Sequence, residues 1–267
     1  MMLSNFHTHT TFCDGKNAPR EMVERAIELG FSALGFSSHA SYLKECNYGV
    51  KDLEEYRKTI NALKEEYKDK IEVYCGIEEE IYTPYDRRKY DYILGSCHFV
   101  EKNGVYYPID SDYKSFKELL KIFNGNTMEI AEKYFTALVD YIYKRKPDIV
   151  GHFDLITKFD EMGEVFYLDN PEYIKMAEYF MEKASLSGCI FEVNTGAISR
   201  GFRTSFYPSL NLLNILKKNN ARLMLNSDCH DKNFLDCEFK RSIEIIKDVG
   251  FKKLSTIKGG KFIEFDI

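Results

Sequence analysis

Residues 6–15 read FHTHTTFCDG, and the fold turns on them. Residues 3–6 predict a short apolar strand, with His7 and His9 two apart at its C-terminal end. Residues i and i+2 of a strand point to the same side, so both imidazoles can reach one metal ion. The same ending recurs along the chain. GFSSH closes on His39, GSCH on His98, VGH on His152 and NSDCH on His230, each at or just past the end of a predicted strand. All six histidines therefore lie at strand ends, and none is expected on a helix. In a parallel barrel such positions converge on the face where the βα loops build the active site.

Between these strands the chain repeats an amphipathic helix, a glycine and a short apolar strand. Residues 19–29 start on Pro19 and set Val23, Ala26 and Ile27 on one face; Gly30 stops the helix and residues 33–36 form the strand. Residues 171–187 repeat the pattern before Gly188 and a strand at 189–193. Residues 209–218 precede a strand at 222–225, and 239–249 precede Gly250. Further strands are expected at 71–75, 92–94, 149–150 and 262–265, and further helices at 53–67 and 128–143. Seven or eight such units predict an α/β protein with a closed or nearly closed parallel barrel. A doubly wound open sheet is disfavoured because no GxGxxG follows a predicted strand. Residues 101–126 are the least regular and are expected to form an elaborated loop over the pocket.

Length and composition narrow the function classes. The 267 residues are 44% hydrophobic and 30% charged, as in a soluble globular domain and unlike a disordered chain. No apolar run approaches the ~18 residues of a membrane span, and the first residues lack the features of a secretory signal. The net charge of −5 disfavours a nucleic-acid partner, which usually calls for a basic excess. Seven cysteines without a CxxC pair argue against a disulfide framework and for the cytoplasm.

Carboxylates also occur at strand ends: Asp14, Asp228, and the triplet Glu78-Glu79-Glu80, in which alternation puts Glu78 and Glu80 on one side and Glu79 on the other. Six histidines and three carboxylates exceed the needs of one ion and suit two or three clustered divalent transition metals (zinc, iron or manganese). Cys13, Cys97 and Cys229 neighbour these ligands and are read as packing residues. Arg200 is a candidate phosphate clamp and Lys158 a second cation, while Arg203 is read as a solvent-exposed loop residue. No P-loop or GxSxG nucleophile motif is present.

The pieces FHTHTTFCDG, GFSSHA, GIE, GSCHF, VGHFDLI, EVNTGA and NSDCH, in that order from residue 6 to residue 230, resemble the PHP (polymerase and histidinol phosphatase) family of metal-dependent phosphoesterases. GSCHF, GHFDLI and NTGA…YPS are similar to its histidinol-phosphate phosphatase branch. The resemblance implies a distorted (β/α)7 TIM-like barrel, one PHP domain spanning residues 1–267, with a trinuclear centre. One metal would take His7, His9, Glu78 and Asp228, a second Glu78, His98 and His152, and a third Asp14, His39 and His230. Many members carry histidine where this chain has Asp14, and the family pattern favours Glu78 over Glu80.

The implied activity is hydrolysis of a phosphate monoester, histidinol phosphate above all, in histidine biosynthesis. A metal-acidified water would attack phosphorus in line. Arg200 and Lys158 would bind the phosphoryl group, and Asp228 or His230 would deliver a proton to the leaving alkoxide. Asp110 and Asp112, with Tyr106 and Tyr107, are candidates for the ammonium and imidazole of that substrate. The rival readings are an esterase for another phosphomonoester, a phosphodiester or a nucleotide, an amidohydrolase-type barrel, and a metal-storage module. The late DxH motif and the GSCH strand favour the phosphoesterase over the amidohydrolase.

Overall fold

The computed structural model describes residues 2–40, 43–163 and 167–267. Seven strands lie side by side, all parallel, in chain order: β1 (Ser4–Asn5), β2 (Ala33–Phe36), β3 (Glu72–Glu80), β4 (Tyr92–Ser96), β5 (Ile149–Val150), β6 (Ile190–Asn194) and β7 (Arg222–Asn226). A parallel bridge between Thr8 and Cys229 closes the ring just beyond β1 and β7. At this seam His9 N donates to Cys229 O at 2.8 Å and Cys229 N donates to His7 O at 3.0 Å. Sequential parallel strands need crossovers, supplied here by helices such as Pro19–Glu28, Leu53–Glu66, Thr127–Arg145 and Pro171–Ser185. Their starts are legible locally: Asp52 accepts from Glu54 N and Glu55 N, and Asn170 caps a helix whose first residue is Pro171.

Two apolar layers result. Phe6, Ala33, Tyr74, Tyr92, Leu94, Ile149, Ile190 and Met224 fill the barrel, and a larger cluster packs the helices on its outside. Tyr92 is central to this interior. Its hydroxyl lies 2.7 Å from Phe6 O and 3.0 Å from Phe36 O, tying β4 to the ends of β1 and β2. Gly76 makes room for the ring, since a Cβ there would fall 2.2 Å from Tyr92 Cζ. Aromatic fill at the bottom leaves the polar strand ends at the top for chemistry.

Two expectations need correction. Residues 262–265 are not a barrel strand. Lys253–Lys258 and Lys261–Asp266 form an antiparallel hairpin that plugs the lower end, with Ile257 buried in the barrel interior and Thr256 Oγ1 donating to Ser4 Oγ at 3.0 Å. The turn Gly259-Gly260 has both φ angles positive (56° and 74°), which folds the chain straight back. Residues 101–126 are not irregular either. Phe99–Lys102 pairs antiparallel with Val105–Pro108 around Asn103-Gly104, and a helix follows at Tyr113–Ile122. Among the described residues, no helix is long and apolar enough to cross a membrane.

Candidate metal centre

β1 ends by turning His7 and His9 into the top of the barrel, both fully buried, while Thr8 between them faces outward and donates to Gly35 O at 2.8 Å. Glu78 on β3 is the hub. Its Oε1 lies 3.2 Å from His7 Nε2, 3.3 Å from His98 Nε2 and 3.1 Å from His152 Nε2. Its Oε2 lies 2.7 Å from His39 Nδ1 and 3.5 Å from His9 Nε2. Asp228 Oδ1 lies 3.1 Å from His9 Nε2, 3.6 Å from His7 Nε2 and 3.5 Å from His230 Nδ1. Asp14 completes the outer side, 3.7 Å from His39 Nε2 and 3.3 Å from His230 Nε2. All nine residues singled out as ligands thus surround one cavity.

The donor set fits divalent cations. Four overlapping groups each bring their ligand atoms within 4.8 Å of one another: His9, Asp14, His39 and His230; His7, His9 and Glu78; His7, His152 and Asp228; and His39, Glu78 and His98. His7 Nε2 and His9 Nε2 are buried and have no hydrogen-bond partner, a costly state unless a cation takes the lone pairs. Burial, with His230 and His39 alongside, pushes the His9 imidazolium down to about 3, leaving a neutral ring. Burial raises the Glu78 carboxyl, but His39, His7 and His98 outweigh it and hold the group well below the usual carboxylate range. Burial lowers His7, His39 and His98, but the carboxylates in turn outweigh it and raise all three, leaving protons that a bound cation would displace; imidazole nitrogens among ionised carboxylates are the ligand chemistry of zinc, iron and manganese.

The three consecutive glutamates have three fates. Glu79 points out of the barrel, taking Arg145 Nε and Nη2 at 2.7 and 2.8 Å and the Tyr141 hydroxyl at 2.7 Å. Glu80 shares the side of Glu78 but sits behind His98, accepting from His98 N at 3.0 Å and facing its Nδ1 at 3.1 Å. Among the neighbouring cysteines, Cys229 donates to Asp231 O at 2.9 Å, and burial pushes its thiol up to about 12. Cys97 donates to Phe99 O at 3.3 Å. Cys13 Sγ touches His9 Nδ1 at 3.5 Å, on the face opposite the carboxylates of Glu78 and Asp228, and burial raises its thiol to about 11.

A cleft of about 240 Å³ opens over the cluster, lined by Asp14, His39, His98, His152, Asp228 and His230 and by Tyr48, Asp110, Ser111, Leu155, Lys158, Arg200 and Phe202. Arg200 spans the rim, with Nη2 2.9 Å from Asp228 Oδ2 and Nη1 2.7 Å from His230 Nδ1. Lys158 is buried; its Nζ donates to Asp110 O, lies 3.4 Å from Asp110 Oδ2 and sits 4.7 Å from the Phe202 ring.

Three readings are corrected. Arg203 is buried rather than solvent-exposed: it donates to Thr157 Oγ1 and Ser205 Oγ and stacks 4.6 Å over the Tyr207 ring, because the loop folds back under the cleft. Asp112 is outside the cleft, occupied as the N-cap of Tyr113–Ile122. Tyr106 packs at a tilt against Tyr82, ring centroids 4.8 Å apart, and neither Tyr106 nor Tyr107 lines the cleft. Sequence reasoning missed Tyr48, which packs edge-on against His39 at 4.8 Å. It also missed Glu192, fully buried on β6 and 2.7 Å from His7 Nδ1. The signal for Glu192 was a lone charge inside the apolar run IFEV.

Comparisons with known proteins agree with this geometry. The family model described as PHP domain matches residues 5–196. The probable histidinol-phosphatase of Schizosaccharomyces pombe is 27% identical over 95% of this chain and 89% of its own length. The histidinol-phosphatase of Bacillus subtilis is 26% identical over 89% of this chain and 97% of its own. The crystal structure of histidinol phosphate phosphatase from Lactococcus lactis, complexed with zinc, L-histidinol and phosphate, superimposes with a TM-score of 0.71 at 23% identity, covering 97% of this chain and 98% of that one. That likeness shows the same barrel. With the matched model covering most of the barrel, the chain belongs to the PHP domain family.

Proposed function

We propose that this chain is a metal-dependent phosphomonoesterase whose substrate is L-histidinol phosphate, cleaved to L-histidinol and phosphate in the cytoplasm as a step of histidine biosynthesis, with the whole of residues 1–267 acting as one domain. The observation that carries the reading is the cleft: two cationic side chains, Arg200 and Lys158, stand over a nine-residue histidine–carboxylate cluster. Near full-length similarity to histidinol-phosphatases supports it.

His7, His9, Glu78 and Asp228 would hold one divalent ion, Glu78, His98 and His152 a second, and Asp14, His39 and His230 a third. When bound, two to three zinc, iron or manganese ions supply Lewis acidity at the phosphoryl oxygens and a nucleophilic water at neutral pH.

The protein's own groups do the rest. Arg200 turns its fork from Asp228 toward a phosphoryl oxygen, pairing two N–H donors with developing negative charge. Lys158 adds a second cation from the cleft lining, held in place by the carbonyl of Asp110. Asp228 and His230, whose Oδ1 and Nδ1 lie 3.5 Å apart, are the candidate carriers of the proton that the leaving alkoxide needs. The Asp110 carboxylate lines the cleft, with Lys158 Nζ 3.4 Å from its Oδ2. That carboxylate would offer the ammonium of histidinol phosphate a partner that a simple phosphate ester cannot use. Tyr48 and Phe202 offer walls for the imidazole.

Phosphate release by metal-loaded protein from histidinol phosphate, sugar phosphates, mononucleotides and a phosphodiester tests the assignment. The expected result is a preference for histidinol phosphate. Faster cleavage of the phosphodiester would replace the assignment with a phosphodiesterase.

A further inference from the structure

The geometry points to Glu192 as the positioning residue that fixes the tautomer of His7 and thereby sets the metal affinity of the whole centre. The inference rests on the metal-centre reading above but not on the identity of the substrate.

The argument is a count of donors and acceptors. Glu192 is fully buried, and each of its oxygens meets two neighbours. Oε1 takes Asn226 Nδ2 at 2.9 Å and faces His7 Nδ1 at 2.7 Å. Oε2 takes His152 N at 2.9 Å and Asn194 Nδ2 at 2.8 Å. A backbone N–H can only donate. Both amide orientations are also fixed, because Asn226 Oδ1 accepts from Phe6 N at 2.7 Å and Asn194 Oδ1 accepts from Gly196 N at 2.8 Å. Three of the four neighbours are therefore obligate donors, and an ionised carboxylate, an acceptor only, suits all four. His7 Nδ1 must then carry a hydrogen, and the Nε2 lone pair is turned toward Glu78 and Asp228, 3.2 and 3.6 Å away. A carboxylate behind a ligating imidazole orients the ring and raises its basicity.

Glu192 does more than hold one ring. Through the backbone of His152 it also sets the start of a second ligand-bearing loop. Its amide partners Asn194 and Asn226 end β6 and β7, and Asn226 reaches across the seam to Phe6. One buried charge thus positions ligands from β1 and β5 while binding the strands that close the ring.

Glu192→Gln has almost the same volume but brings an NH₂ group into a cage of donors. That NH₂ faces either His152 N–H and Asn194, or His7, whose ring then relaxes to the tautomer with its hydrogen on Nε2, pointing into the centre. The test is a zinc competition titration against a chelator for the full chain, with wild type, Glu192→Gln, His7→Ala and the double variant. Glu192→Gln is expected to weaken zinc binding by about 10- to 100-fold in the wild-type background. In the His7→Ala background the loss should be clearly smaller than in wild type, leaving only the part carried through the backbone of His152. Equal losses in both backgrounds, or no loss in either, would overturn the inference. A wild type that binds no zinc would instead overturn the metal-centre reading itself.

A second measurement needs no variant at position 192. Zinc-loaded wild type with isotope-labelled histidine should show an imidazole N–H at His7 Nδ1, identified by its disappearance in His7→Ala. A proton found on Nε2 would refute the assignment even if Glu192→Gln failed to fold.

Discussion

Glu79→Gln separates stability from chemistry within a single triplet of like residues. The Glu79 side chain is fully buried, and its two oxygens accept from Arg145 Nε and Nη2, the Tyr141 hydroxyl and Tyr85 N, all between 2.6 and 2.8 Å. The glutamine keeps the volume, removes the charge and turns an NH₂ toward donors. Breaking a buried ion pair on one side costs about 3–5 kcal/mol, and because Arg145 retains some access to water the lower figure applies. For a chain of this size each kcal/mol moves Tm by about 2–4 °C, so a drop of roughly 6–12 °C is expected. Metal content per chain and kcat/KM should stay at wild-type values, because no atom of Glu79 reaches the cavity. Calorimetry, elemental analysis and phosphate release on one preparation decide it. Loss of metal from Glu79→Gln with Tm unchanged would refute the account of which way each glutamate faces. Glu78→Gln, the control, should lose metal.

Other consequences are open to simpler assays. His7→Ala and Asp228→Ala should remain folded by circular dichroism while losing phosphate release by more than about a hundredfold; unchanged turnover would remove either residue from the site. Arg200→Ala should lower kcat/KM on every phosphomonoester by about 10²–10³, and Arg200→Lys should recover only part, lacking the planar fork. Equal rates for all three proteins would place Arg200 outside the reaction. Asp160 is buried beneath the cleft, and burial pushes its carboxyl up to about 6. A carboxyl that ionises later in the folded state than in the unfolded chain makes stability fall as pH rises from about 4 to 6, with the loss constant above that. The Tm advantage of Asp160→Asn over wild type should therefore grow through that window and level off near neutrality; a difference flat across pH would count against it.

Much of this molecule was legible because the barrel puts its chemistry where the sequence punctuates it. A histidine just after a run such as ALGF or YILG marks a strand end whatever the exact boundaries are. That is why the six histidines, with Asp14 and Asp228, could be named before their distances were known, whereas Glu78 was separated from Glu80 only by the family resemblance. What escaped notice was of two kinds. One was local turn chemistry: Asn103-Gly104 and Gly259-Gly260 are hairpin turns, and they make two antiparallel pairs of what periodicity alone reads as an irregular loop and an extra barrel strand. The N-cap role of Asp112 was local too, set by Ser115 three residues on, but the roles of Arg203 and Glu192 were not. Each is set by partners far along the chain or by a loop path, such as Glu192 with His7, 185 positions away, and periodicity carries no such information.

The seam between Thr8 and Cys229 has a consequence for synthesis. His7 and His9 emerge from the ribosome more than two hundred residues before Asp228 and His230, with which they share the proposed centre. At a translation rate of about 5–20 residues per second, the early histidines wait on the order of ten to forty seconds for their partners. No nascent or truncated chain lacking the last barrel strand can assemble that set of ligands. A fragment ending before β7 would therefore present exposed imidazoles beside an unpaired strand edge, a form that chaperones or proteases would meet before any metal could be enclosed.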